Sequence, residues 1–147
     1  MQQTEPEAYK AVYALEKYLS HSRLTPIHAE LIRLRASQLN GCAFCINMHV
    51  NDARKHGETE QRLHLVSVWR ETTLFTPKEQ AVLALTEEVT NIGQHHVSDA
   101  AYEAAAALFD EQYLAQIIMA IATINVWNRI AISTQMQVPA ELGSLVA

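Results

Sequence analysis

Apolar residues recur at intervals of three and four along almost the whole chain, which is the spacing of one face of an α-helix. In the first such segment this stripe consists of Ala8, Val12, Leu15 and Leu19. No segment shows the sustained alternation of apolar and polar positions that marks a half-buried β-strand. The pattern therefore predicts an all-α protein.

Start and stop signals divide this pattern into about seven helices. Two of the predicted helices begin at a Thr-Pro pair, in which threonine caps the helix and proline takes its first position. Glycines mark several of the predicted ends. The predicted helices run from about Pro6 to Leu19, Pro26 to Asn40, Cys42 to Gly57, Thr59 to Trp69, Pro77 to Gly93, Ser98 into an alanine-rich stretch, and Asp110 to Gln135. Because no linker is long enough to separate them, we expect one compact bundle, a single domain over residues 1–147.

The last predicted helix is apolar around most of its circumference. Either of two arrangements accounts for this: a central helix surrounded by the others, or a helix that packs partly, through Trp127, against another protomer. Polar residues interrupt the stretch from Ile117 to Ile132, and a membrane span needs about 20 mostly apolar residues. We therefore interpret it as a buried helix rather than a membrane span, and we expect a homo-oligomer assembled through helices.

Composition and charge narrow the possible partners. The chain has 147 residues, of which 49% are apolar, and carries a net charge of −5. An acidic chain without a basic stripe is a poor ligand for phosphates, so no nucleic-acid partner is expected. The N-terminal sequence lacks the basic and apolar regions of a secretory signal. These features predict a soluble, cytoplasmic protein.

The candidate chemistry lies in the two cysteines, Cys42 and Cys45. In a reducing compartment such a pair is more often redox-active or metal-binding than structural. One helical turn places the two sulfurs within reach of a disulfide, and His49 follows Cys45 at the i, i+4 spacing at which helical side chains meet. The first turn of a helix would favour a thiolate at Cys42, whereas His49 would favour one at Cys45. Sequence geometry leaves open which sulfur attacks first.

Glu30, Cys42, Cys45 and His49 together resemble the ExₙCxxCxxxH signature of the AhpD-like alkylhydroperoxidases, within the carboxymuconolactone decarboxylase superfamily. The resemblance extends from about residue 27 to residue 132. The stretch 36–42 and the segments Trp69-Arg70-Glu71 and Asn128-Arg129 are similar to the same group. The resemblance implies an all-α fold and a homo-oligomer, often a trimer or hexamer.

The resemblance also implies a role for each signature residue. Glu30 and His49 would form a proton relay that activates Cys45, and Cys42 would resolve the oxidised sulfur. The implied activity is that of a thiol-dependent hydroperoxidase or disulfide oxidoreductase in antioxidant defence, with a hydroperoxide substrate, an external dithiol or thiol-protein reductant and no cofactor. Some members place a histidine before the second cysteine, where this chain has Phe44, so the relay is expected to be shorter or completed by water.

Other interpretations stay open at this point. The cysteines could form an unreactive buried pair, a zinc site with His49 and Glu30, or a redox sensor that changes assembly rather than turning over substrate. A decarboxylase-type lactone enzyme is a further alternative, although that branch typically lacks the cysteine pair. Glu30 could be a solvated carboxylate paired with Arg33. Four histidines without a convergent partner are expected on the surface: His21, His28, His56 and His64.

Overall fold

The computed structural model describes residues 2–140, and within these residues the chain forms eight α-helices and one short 3₁₀ segment, with no strand. The all-α prediction is therefore confirmed. The elements are α1 (Pro6–Ser20), α2 (Pro26–Asn40), α3 (Ala43–Lys55), α4 (Glu60–Leu65), the 3₁₀ segment (Val66–Glu71), α5 (Pro77–Thr90), α6 (Ile92–His95), α7 (Asp99–Ala106) and α8 (Glu111–Ser133). The expected single domain over 1–147 reaches beyond the described residues at both ends and stays a prediction.

The predicted helix starts hold because they depend on local hydrogen bonds. The Thr25 hydroxyl accepts the N–H of His28 at 3.2 Å and caps α2. Thr76 and Glu79 form a complete capping box at the start of α5,. In each case proline occupies the first turn, where its missing N–H removes no hydrogen bond.

Two predicted helices end earlier than expected. The helix predicted from Thr59 to Trp69 breaks after Leu65, and Val68 lies outside the helical region at φ −125° and ψ 30°. This break lets the buried Trp69 indole donate to Glu87 at 3.0 Å. The helix predicted to reach Gly93 ends at Thr90, and the short α6 follows it.

Helices α2 and α8 form the centre of the bundle. The helix α2 packs against α3, α5 and α8, and α8 also contacts α1 and α7. The core between them contains the fully or nearly fully buried Ile117, Ile121 and Ile124 of α8. By length and composition α8 could cross a membrane. Its contacts with five other helices are those of a core helix, as the sequence predicted.

The Trp127 side chain packs against aromatic residues of the same chain. Its ring makes edge-on contacts with Tyr9 and Tyr13 of α1, with centroid distances of 5.6 and 5.2 Å. These contacts bury part of Trp127 within one chain, and the interpretation in which it also packs against another protomer stays a prediction. Other apolar residues of α8, Val126 and Ile132, remain exposed. The expected homo-oligomer stays a prediction.

One histidine predicted on the surface is buried. His28 lies at the start of α2, its Nδ1 is 2.7 Å from the Tyr113 hydroxyl, and its ring packs edge-on against Phe109. Both partners are more than 80 residues away in the chain, so no local pattern revealed them. The surface prediction for His28 was wrong.

Candidate active site

A tight turn joins α2 to α3 and places the cysteines. Gly41 has φ +71°, a left-handed conformation that favours glycine,. Its N–H donates to the Gln38 carbonyl at 3.2 Å, and the next N–H, that of Cys42, donates to the Ser37 carbonyl at 3.0 Å. This pair of bonds is a Schellman motif. It ends α2 and makes Cys42 the N-cap residue of α3.

Cys42 and Cys45 are joined by a disulfide, with 5.4 Å between their Cα atoms. The expectation that one turn brings the two sulfurs within bridging range is confirmed. Cys42 precedes the first turn of α3 rather than lying in it, and its Sγ accepts the backbone N–H of Cys45 at 3.3 Å. Both residues are buried. The first sulfur is thus the one that receives a helix N–H.

Behind this turn a polar network fixes the end of α2 to α8. The Asn40 amide donates to the side-chain oxygens of Asn125 at 3.0 Å and Asn128 at 2.9 Å. The fully buried Asn128 amide donates in turn to the Ser37 hydroxyl at 3.0 Å. Buried amides are stable only when they are hydrogen-bonded in this way. The network holds the turn that precedes Cys42 in a fixed position on α8.

His49 and Glu30 form a direct, buried hydrogen bond between α3 and α2. Nδ1 of His49 lies 2.9 Å from Oε2 of Glu30, and both residues are no more than 6% exposed. Since an ionised carboxylate only accepts, Nδ1 is the donor, and whenever the ring is neutral its lone pair is on Nε2. That Nε2 is buried and has no hydrogen-bond partner among residues 2–140. The two expected relay residues therefore touch without an intervening water.

The Glu30 carboxylate is also held by a cation. Arg33 donates to Glu30 at 2.8 Å through Nη1 and to Glu16 of α1 at 2.9 Å through Nη2. The Trp127 indole N–H then donates to Glu16 at 3.0 Å. Burial acts to raise the pKa of Glu30, but the hydrogen bond and charge of His49, and those of Arg33, outweigh it and lower the pKa,. The Arg33 pair considered from the sequence exists, but Glu30 is buried in it rather than solvated, and the pair adds to the His49 contact.

The helices α1, α2, α3 and α8 enclose a cavity of about 360 Å³ in front of this network. Cys45 lies on its wall, as do Glu30 and His49, whereas Cys42 does not. The rest of the wall is largely aromatic and sulfur-containing, with four further polar side chains. Its other members are Gln2, Tyr9, Tyr13, Glu16, Arg33, Phe44, Met48, Asp52, Trp127, Ala131 and Met136.

A metal is poorly suited to this site. Glu30, His49 and Asp52 offer ligand atoms within 4.8 Å of one another. However, Arg33 already neutralises Glu30, and Lys55 lies 2.6 Å from the Asp52 carboxylate. In the disulfide form the two sulfurs of the considered zinc site are not thiolates, and a thiolate is the form that ligates zinc,.

The structure thus brings together all four residues singled out from the sequence. Sequence reasoning missed Glu16 and the aromatic wall, because their contacts join helices that are far apart in the chain. A weak signal existed in Tyr9 and Tyr13, whose i, i+4 spacing places two aromatic rings on one face of α1,.

Comparisons with known proteins agree with this arrangement. The profile of the carboxymuconolactone decarboxylase family matches residues 6–88. The chain is 43% identical over 128 residues to the uncharacterized protein YdfG of Bacillus subtilis, which covers 87% of each chain. It is 44% identical to a protein of unknown function from Agrobacterium tumefaciens, described as a candidate antioxidant defence protein AhpD. That crystal structure superimposes with a TM-score of 0.93 and covers 95% of this chain and 96% of the other.

A more distant solved structure shares the fold alone. The debrominase Bmp8 is 18% identical, with a TM-score of 0.84 over 95% of this chain and 75% of its own. The family profile and the two closer relatives identify the family. The chain belongs to the carboxymuconolactone decarboxylase family and has the AhpD-like fold.

Proposed function

We propose that this protein is a thiol-dependent hydroperoxidase, which reduces an organic hydroperoxide through Cys45 and Cys42. One observation carries the proposal: a disulfide-forming cysteine lies on the wall of a cavity beside a buried His–Glu pair. A cysteine nucleophile needs a nearby base and access to its substrate, and this arrangement supplies both.

The position of the two sulfurs supports Cys45 as the attacking residue. Only Cys45 lines the cavity, and it precedes His49 by one helical turn. The unpartnered Nε2 of His49 is then the group that takes the thiol proton once the disulfide is reduced,. Glu30 accepts from Nδ1 and stabilises the imidazolium that results.

The oxidative half of the reaction proceeds in two steps. The Cys45 thiolate attacks the distal oxygen of ROOH, the O–O bond breaks, and the RO⁻ that leaves takes a proton to become ROH. The Cys45 sulfenic acid condenses with the Cys42 thiol, which forms the disulfide and releases one water. The peroxide has then been reduced by two electrons taken from the two thiols.

The reductive half requires an external dithiol. Its thiolate can reach only the sulfur on the cavity wall, so it attacks Cys45 and forms a mixed disulfide, and Cys42 leaves as a thiolate. The leaving sulfur already accepts the N–H of Cys45 at the start of α3, where the helix dipole stabilises negative charge,. The second thiol of the dithiol then releases Cys45. The sum is ROOH plus a dithiol giving ROH, water and a disulfide.

The test is steady-state turnover of cumene hydroperoxide with dihydrolipoamide as the reductant. Cys45→Ser should abolish turnover, and His49→Gln should lower kcat/KM by about 10²- to 10⁴-fold, the usual contribution of a general base. The matched control is His64→Gln, an exposed histidine outside the cavity, which should match the wild type. Unchanged turnover in Cys45→Ser would refute the proposal. A single oxidation without further turnover would instead indicate a redox sensor.

We also propose that the protein works in the cytoplasm, where dithiols are available, and that it assembles as a trimer or hexamer. Light scattering tests the assembly, because the chain mass is 16.5 kDa. A mass of one chain at micromolar concentration would contradict it.

A further inference from the structure

The wall of the cavity combines aromatic rings with more carboxylates than cationic side chains. Tyr9, Tyr13 and Trp127 form a mutually packed group, with centroid distances of 5.2 to 6.3 Å. All three line the cavity. Tyr13 is half exposed, so part of its ring is free to contact a ligand. Aromatic surfaces of this kind favour offset or edge-on contact with another ring.

The same wall carries more carboxylates than cations, and its arginine is already paired with two of them. Three carboxylates line it, those of Glu16, Glu30 and Asp52. Apart from His49, Arg33 is the one cationic side chain on the described wall, and each end of its guanidinium already holds a carboxylate, at 2.8 and 2.9 Å. A ligand carboxylate would therefore enter among like charges without a free arginine or lysine to pair with, which costs binding energy.

The cavity is much larger than a molecule of hydrogen peroxide. Its volume of about 360 Å³ lies at the lower end of the range for small-molecule sites,. A molecule of water occupies about 30 Å³ in the liquid, so a peroxide of nearly the same size would leave most of this space unfilled.

We propose that the cavity selects an uncharged ligand with an aromatic ring, packed against Tyr13 and Trp127, and rejects ligands that carry a carboxylate. This inference rests on the proposed function for the identity of the substrate, an uncharged aryl hydroperoxide. The selectivity itself belongs to the cavity wall and can be measured without any turnover.

The test uses two alcohols, 2-phenyl-2-propanol and its para-carboxylate, on the disulfide form of the protein. The first is the product expected from cumene hydroperoxide, and neither can react. Binding is followed by tryptophan fluorescence, since of the two tryptophans Trp127 lines the cavity and Trp69 does not, with isothermal calorimetry as an independent readout. The neutral alcohol should bind roughly tenfold more tightly than the carboxylate, or better. Equal binding, tighter binding of the carboxylate, or no binding of either would overturn the inference.

A matched pair of variants on α1 separates a ring contact from a change in stability. Tyr13 and Tyr18 are both about half exposed, but only Tyr13 lines the cavity. Tyr13→Leu should weaken binding of the neutral alcohol by about 2- to 10-fold, and Tyr18→Leu should leave this binding unchanged. Equal effects of the two variants would refute the ring contact.

A third variant tests the charge argument. Glu16→Gln keeps an acceptor for the Trp127 indole but removes the charge paired with Nη2 of Arg33. The carboxylate alcohol should then bind several-fold more tightly, while the neutral alcohol changes little. An unchanged preference would refute this explanation. Selective binding by a protein that fails to turn over peroxide would reject the proposed function and leave this inference intact.

Discussion

Replacing Glu30 by glutamine tests the electrostatic centre of the site. The Glu30 carboxylate accepts two hydrogen bonds from groups that carry or can carry positive charge, at 2.9 Å from His49 and 2.8 Å from Arg33. Its side chain is only 6% exposed, so solvent screens these contacts little. Glutamine keeps the shape, but its amide nitrogen cannot accept and would face one of the two donors.

The expected cost follows from these two bonds. A hydrogen bond to a charged group contributes about 1.5–3 kcal/mol. Because glutamine can still accept one of the two, we expect a loss of about 2–3 kcal/mol at pH 7. For a chain of this size that corresponds to roughly 4–12 °C in Tm.

The cost should also depend on pH. The folded-state pKa of Glu30 lies below its ordinary value of 4.5. The stability contributed by the carboxylate is therefore fully present above that ordinary value and is lost as the pH falls through the folded-state pKa. The difference in unfolding free energy between wild type and Glu30→Gln should be constant from pH 7 to about 5 and should shrink at lower pH.

Urea unfolding followed by circular dichroism, at several pH values from 7 to 3.5, measures both effects. The control is Glu7→Gln, which removes an exposed carboxylate with one lysine partner at 2.6 Å. Such surface pairs contribute at most about 1 kcal/mol. The reasoning is refuted if the two variants lose equal stability at pH 7, or if the Glu30→Gln difference does not change with pH.

Three further predictions concern the disulfide and its supports. With one equivalent each of a monothiol and a peroxide, Cys42→Ser should accumulate a mixed disulfide at Cys45 by mass spectrometry, and an adduct in Cys45→Ser instead would reverse the assigned roles. Trp127→Phe keeps an aromatic ring but loses the 3.0 Å bond to the Glu16 carboxylate, so the urea midpoint should fall by the equivalent of about 1.5–3 kcal/mol,. Gly41→Ala meets no atom within 4 Å but must keep φ at +71°, which should cost about 1–2 kcal/mol,. No loss of stability would mean that the turn relaxes to another conformation.

The features that could be predicted from the sequence are those whose interacting residues lie close together in the chain. Interactions between residues three or four apart account for the helix caps at Thr25 and Thr76 and for the cysteine pair. Such interactions can be recognised directly in the sequence. The break at Val68 and the burial of His28 depend on partners in distant helices, so local patterns misjudged both.

The candidate site divides in the same way. The signature resemblance identified Glu30 and His49 before their contact was visible. It carried no information about Glu16, whose place beside the site requires α1 to pack on α8. Contacts of that kind arise only when the whole bundle is assembled.

The asparagine network behind the Gly41 turn has a consequence for the redox cycle. Asn40, the residue just before Gly41, is anchored to α8 through two hydrogen bonds that do not involve sulfur. Opening the disulfide would therefore leave both thiols tethered a few ångströms apart, at an effective concentration far above that of any free thiol in solution. Ring closure should then outpace capture of the sulfenic acid by a second peroxide molecule, and its rate should be independent of how dilute the protein is.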